Sequence, residues 1–213
     1  MTDVLVRRDG GVATIAINNP ARLNCLGRAQ ITAFIDAVTE LADDPGLRVL
    51  IVTGEGDRAF MGGANLHELG ALNPPRARDF LTQIHRMCKV LRDLPVPVIA
   101  RVNGHARAGG IGLIAAADMA VAAEAATFAF TEVRVGVAPA MILVPALRVV
   151  DHRFLARTTL TGERFSASEA AAAGLLTAVT PDETALDAWV AEQTTALRQA
   201  APGAVRSTRT IRT

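Results

Sequence analysis

At 213 residues, half of them apolar and a fifth charged, the chain is long enough to bury one sizeable core and suits a single α/β domain. A formal net charge of +1, no tyrosine and a single tryptophan argue against the basic field and aromatic platforms of a nucleic-acid binder. No apolar run reaches the roughly 18 residues of a membrane span, and MTDVLVRRDGG lacks the make-up of a signal peptide.

Residues 4–7 and 12–17 alternate around Asp9-Gly10-Gly11 and predict a β-hairpin. Pro20, in NNPARLN, then breaks the ladder. Ile31, Phe34, Ile35, Val38 and Leu41 recur at helical spacing over 30–41, and Asp44-Pro45-Gly46 ends that helix. Residues 47–53 are a short apolar strand of the kind buried inside a sheet. Pro74-Pro75 opens a long helix to about 91, with Phe80, Ile84, Met87, Val90 and Leu91 on one face; Pro95 and Pro97 close it. A strand at 97–102, a helix at 109–117 and a short strand around 119–122 follow. Residues 127–133 alternate as a strand with Glu132 at its end, and Gly136 stops it. Helices at about 140–149, 152–160, 167–173 and 184–200 complete the pattern. Strands alternating with helices predict a mostly parallel sheet covered by helices, with no internal repeat and no low-complexity linker. Cys25 and Cys88 lie far apart and form no C-x-x-C pair, so a reduced, cytoplasmic setting is expected.

Two glycine-rich stretches carry the chemistry: FMGGANL at 60–66 and VNGHARAGGIGL at 102–113. Each follows an apolar strand, and the second restarts as a helix, so bare backbone N–H groups point outward at the positive end of the helix dipole. Two such donors converging on one point make an oxyanion hole. His67, His85, His105 and His152 have no metal-ligand spacing. No G-x-S-x-G, P-loop or zinc pattern occurs, and GHARAGGIG lacks the spacing and ribose acid of a dinucleotide fingerprint.

AFMGGANL and VNGHARAGGIGL resemble the two signature stretches of the enoyl-CoA hydratase/isomerase (crotonase) superfamily, with NNPARLNCL before them and FTEVRVGVAPA after them in the family's order and spacing. The resemblance runs from about Val4 to the C-terminus. It implies an α/β fold built as a crotonase-like spiral of ββα units with C-terminal helices. It further implies a core domain over 1–200 and, at 201–213, the start of a C-terminal helical region that looks shortened. The expected ligand is an acyl-CoA thioester as substrate, with no cofactor and no metal, in a homotrimer or hexamer.

By the same resemblance the oxyanion donors are the N–H groups of Ala64 and Gly109. Gly62, Gly63, Gly109 and Gly110 would let the backbone approach the ligand and adopt positive φ. Glu132 corresponds to the family's acid/base glutamate, its pKa expected to rise against an apolar acyl pocket. Gly112 stands where two-carboxylate members carry their first glutamate; the departure leaves one carboxylate and is expected to enlarge the pocket. Arg107 replaces a usual apolar residue and reads either as an exposed loop arginine or as a bidentate clamp for a second carboxylate on the acyl group. Arg22 matches a position where basic residues meet the CoA phosphates, and Arg206 and Arg209 are weaker candidates for that work. Leu23 and Leu26 fall near the adenine–pantetheine cleft or in the core, while Asn65 and Asp118 read as structural. Hydration of a 2-enoyl-CoA through one glutamate is the activity implied first. Double-bond isomerisation, decarboxylation and non-catalytic acyl-CoA binding are the alternatives.

Overall fold

Apolar runs punctuated by glycine and proline become the strands of two sheets in the computed structural model, which describes residues 3–212. A hairpin starts the chain, β1 (Val4–Asp9) and β2 (Val12–Ile17) pairing antiparallel across Gly10 and Gly11, both at positive φ. A 3-10 turn at Pro20–Arg22 leads to α1 (Arg28–Ala42). The next three units then repeat one order: a strand of the large sheet, a short strand of the small sheet, and helix. They are β3 (Val49–Gly54), β4 (Ala59–Met61), α2 (Leu66–Gly70) and α3 (Pro74–Asp93); β5 (Val98–Val102), β6 (His105–Arg107) and α4 (Gly109–Ala116); and β7 (Met119–Ala123), β8 (Thr127–Ala129), a 3-10 turn at Glu132–Val135 and α5 (Ala140–Ala146). After them come α6 (His152–Thr161), β9 (Arg164–Ser166), α7 (Ala167–Ala172), β10 (Ala178–Thr180), α8 (Glu183–Gln199) and α9 (Pro202–Arg212).

The large sheet runs β1-β2-β3-β5-β7-β10, parallel from β2 onward. Its two faces are covered unequally. Ile15, Ile17, Leu50, Val52 and Val98 meet α1, α3 and α4 in the main core, whereas Val49, Ile51, Ile99 and Val121 meet Leu186 and Val190 of α8. All six residues of β3 are therefore buried, which explains the apolar run at 49–52. The small sheet runs β4-β6-β8-β9, with β4, β6 and β8 parallel and β9 antiparallel. Phe165 of β9 stacks on Phe128 at 5.6 Å between ring centroids and meets Phe154 of α6 edge-on. This is the ββα spiral expected from the sequence.

Three local expectations change. The strand foreseen at 127–133 stops at Ala129, so Glu132 opens a 3-10 turn instead of ending a strand. The run at 140–149 is helical only to Ala146. Arg209, a candidate for phosphate contact, is 6% exposed and its guanidinium faces inward. Its Nε donates to Asp118 Oδ2 at 2.7 Å, and its two terminal nitrogens donate to the carbonyls of Leu91, Arg92 and Leu94 at the end of α3. Asp118 also accepts from Val98 N–H at 2.8 Å, so one ion pair ties α9 to the start of β5 and the end of α3. Asp118 is thus structural, as its place in the sequence suggests.

Removing the arginine leaves a carboxylate and several carbonyls in a nearly dry seam. Arg209→Met is expected to lower unfolding stability by about 3–5 kcal/mol, read from urea denaturation.

Candidate active site

Because β4, β6 and β8 are parallel neighbours, their C-terminal ends lie at the same edge, about 4.8 Å apart per strand. Ligands bind at such edges of α/β sheets because helices restart there with unpaired N–H groups. The turn after β4 is Gly62–Gly63–Ala64, the turn after β6 is Ala108–Gly109, and the turn after β8 carries Glu132. All six line one cavity of about 160 Å³.

The donor at Ala64 follows from strand geometry. Leu26 N–H donates to Gly63 C=O at 2.8 Å, and Asn65 N–H donates to Leu26 C=O at 2.8 Å, so the intervening Ala64 N–H faces the other way. Gly109 is the first residue of α4, where the helix supplies no acceptor. Among the described residues, neither N–H has a hydrogen-bond acceptor. Positive φ falls only partly where the sequence places it. Of the four glycines only Gly63 has it, at +91°, and there a Cβ would lie 3.2 Å from Ala108 Cβ. The strained corner is Ala108 itself, at φ 48°, ψ −117°, the first corner of a type II′ turn that L residues rarely occupy.

Glu132 is the acid of the cavity. Among the described residues its Oε2 is buried with no hydrogen-bond partner, and it forms no ion pair with Arg134. Burial pushes the carboxyl up to about 7, against a smaller lowering from its own backbone N–H. Around it the wall is mostly apolar: Leu66 and Leu69 from α2, Leu81 and Ile84 from α3, Met141 and Ile142 from α5. An acid/base group, bare N–H donors and an apolar trough suit proton transfer next to a carbonyl whose oxygen takes up charge.

Not every candidate reaches the cavity. The space at Gly112 is already full: a Cβ there would lie 2.7 Å from Ile142 Cγ2 and 3.2 Å from Cys88 Sγ, so the missing glutamate leaves packed hydrocarbon and no enlarged pocket. Gly110 packs α4 against Met61, where a Cβ would come within 2.9 Å, and lies behind the site. Arg107 turns away from the cavity. Its Nη1 donates to the carbonyls of Ala106 and Thr127 and its Nη2 to Thr127 Oγ1, so it does not clamp an acyl carboxylate here. The decarboxylation reading loses its main support with it. Leu26 is fully buried, beside Gly109, and belongs to the core; Leu23 is partly exposed at φ 54°. Arg22 and Arg206 are exposed and outside the cavity. Asn65 caps α2 by accepting from Glu68 N–H. Among the described residues no group of three or more His, Cys, Asp or Glu is placed to hold a metal, and no helix is long and apolar enough to cross a membrane.

Ile142 and Ala108 carry no signal in the sequence: the apolar run around Ile142 does not show its contact with Gly112, and alanine does not mark positive φ.

The family model for enoyl-CoA hydratase/isomerase matches residues 7–211. A Xenopus laevis protein named enoyl-CoA hydratase domain-containing protein 3, mitochondrial, is 36% identical over 84% of this chain. A Syntrophomonas wolfei crotonyl-CoA hydratase is 31% identical over 85% of this chain and 70% of its own length. The chain spans only 61% of the length of the Xenopus relative. Among solved structures, an enoyl-CoA hydratase from Mycobacterium smegmatis superposes with a TM-score of 0.94 at 30% identity, covering 98% of this chain and 81% of that one.

Two outcomes follow from this geometry. Between about 4.5 and 7 the folded state holds a proton on Glu132 that the unfolded chain has released, so stability falls as pH rises through that window. Glu132→Gln, locked neutral, should match wild type near pH 4.5 and exceed it by up to about 3 kcal/mol above pH 7 in denaturation curves taken across pH. Ala108→Gly relieves the strained corner and should raise stability by about 1 kcal/mol in the same assay.

Proposed function

Because this chain belongs to the enoyl-CoA hydratase/isomerase family, we propose that its cavity takes an acyl-CoA thioester and that Glu132 transfers a proton on the acyl group. The observation that carries the reading is the unpartnered Glu132 Oε2, raised to about 7 in a cavity shared with the bare N–H groups of Ala64 and Gly109. The thioester oxygen sits between those two donors, which hold the enolate that forms when a bond is made or broken next to the carbonyl. In hydration of a 2-enoyl-CoA, ionised Glu132 takes a proton from water as the water oxygen adds to C3. The charge moves onto the thioester oxygen, and protonated Glu132 then returns the proton to C2. Water is thereby added across the double bond and the carboxylate is restored. The names of the relatives support hydration as the first reading.

Ile142 in the space at Gly112 favours a second reading. A site with one carboxylate and, among the described residues, no second acid beside Gly112 is suited to isomerisation of a 3-enoyl-CoA. Glu132 removes a proton from C2, the dienolate rests on the two N–H groups, and the proton returns to C4. Crotonyl-CoA and 3-hexenoyl-CoA, each assayed with wild type and Glu132→Ala, separate the two. Loss of about 10²–10⁴ in the variant is expected for whichever reaction wild type performs. Equal turnover in both proteins would overturn the role given to Glu132.

A further inference from the structure

The helix α1 has no side chain of its own at its N-cap, which is Gly27. Its capping carboxylate comes instead from 40 residues away: both oxygens of Glu68 accept from the Arg28 N–H at 3.3 Å. A Cβ on Gly27 would lie 2.6 Å from Glu68 Oε2, so the glycine leaves room for that carboxylate. An anion at this end of a helix is favoured by the dipole. Arg28 extends the junction, with its Nε 3.9 Å from Glu68, its Nη1 donating to Asp79 at 2.9 Å and its Nη2 to the Arg76 carbonyl at 3.1 Å. The starts of α1 and α3 and Glu68 of α2 thus meet at one point.

The helix α2 is where this matters. It has five residues, none of them buried, yet its Leu66 and Leu69 form part of the cavity wall. Among the described residues, Glu68 makes the side-chain hydrogen bonds and the ion pair that join α2 to the body of the fold. We propose that Glu68 is a specificity-determining residue, holding the α2 wall against the acyl chain by capping α1. The proposal rests on the acyl-CoA reading of the cavity. A wall held in place gains contact with each methylene added to the acyl chain, about fourfold in affinity per buried CH₂. A loose wall gains less.

The test is the slope of dissociation constant against chain length for butyryl-, hexanoyl- and octanoyl-CoA, measured by titration calorimetry on wild type, Glu68→Ala and Gly27→Ser. Serine at 27 caps α1 locally and displaces Glu68, so α1 keeps its cap while α2 loses its anchor. The expected result is a slope flattened from about fourfold to twofold or less per methylene in both variants, with the melting temperature of Gly27→Ser close to wild type. Amide exchange over residues 65–72 is expected to quicken in both. An unchanged slope overturns the proposal, even with faster exchange, and so does an equal loss of affinity at all lengths. Slopes that behave as expected without turnover of any enoyl-CoA would overturn the proposed reaction and leave the role of Glu68 standing. Wild type that binds no acyl-CoA would overturn both.

Discussion

Three short parallel strands ending at one edge are the constraint on which the rest depends. Hydrogen bonding between β4, β6 and β8 fixes the spacing of the turns that follow them, and each turn delivers one functional group. A donor from the first, a donor from the second and a carboxyl from the third cannot drift apart without breaking ladder bonds. The large sheet contributes indirectly: its buried strands anchor the units from which the small strands branch. Precision at the site is therefore a property of the sheet and not of the loops alone.

The site also gathers local costs that would be unwelcome elsewhere. A buried carboxyl oxygen without a partner, two N–H groups without acceptors and a non-glycine residue at φ 48° lie together around one cavity. Elsewhere among the described residues, buried side-chain polar atoms are matched. Buried Asn24 bonds Asn19 N–H and the carbonyls of Glu55 and Ala59, and Asn103 accepts from Gly54 N–H while donating to Gly56 C=O. Unmet demand at one place, against satisfaction around it, is what a pre-organised binding site looks like.

What was legible follows the length of the signal. α1, α3 and β3 announce themselves because ten or more residues of helical period, or four consecutive large aliphatic side chains, leave few alternatives. β4, β6 and β9 have three residues each, too few to show any period, so the small sheet that carries the site was invisible as a sheet. Ala64, Gly109 and Glu132 are marked in the sequence by the resemblance of their motifs, and all three line one cavity. Side-chain direction was not legible. Arg107 looks like a clamp until Thr127 is seen to hold it, and Gly112 looks like empty space until Ile142 is seen to fill it. Both depend on neighbours at least 20 residues away, which no local pattern encodes.

With the Glu132 carboxyl raised to about 7, both its protonated and its ionised forms are populated in a neutral medium. A group of ordinary acidity would start nearly every donation from a rare protonated form, and a much weaker acid would start nearly every abstraction from a rare ionised one. In the proposed reaction, proton transfer to or from Glu132 therefore starts from a well-populated state in either direction.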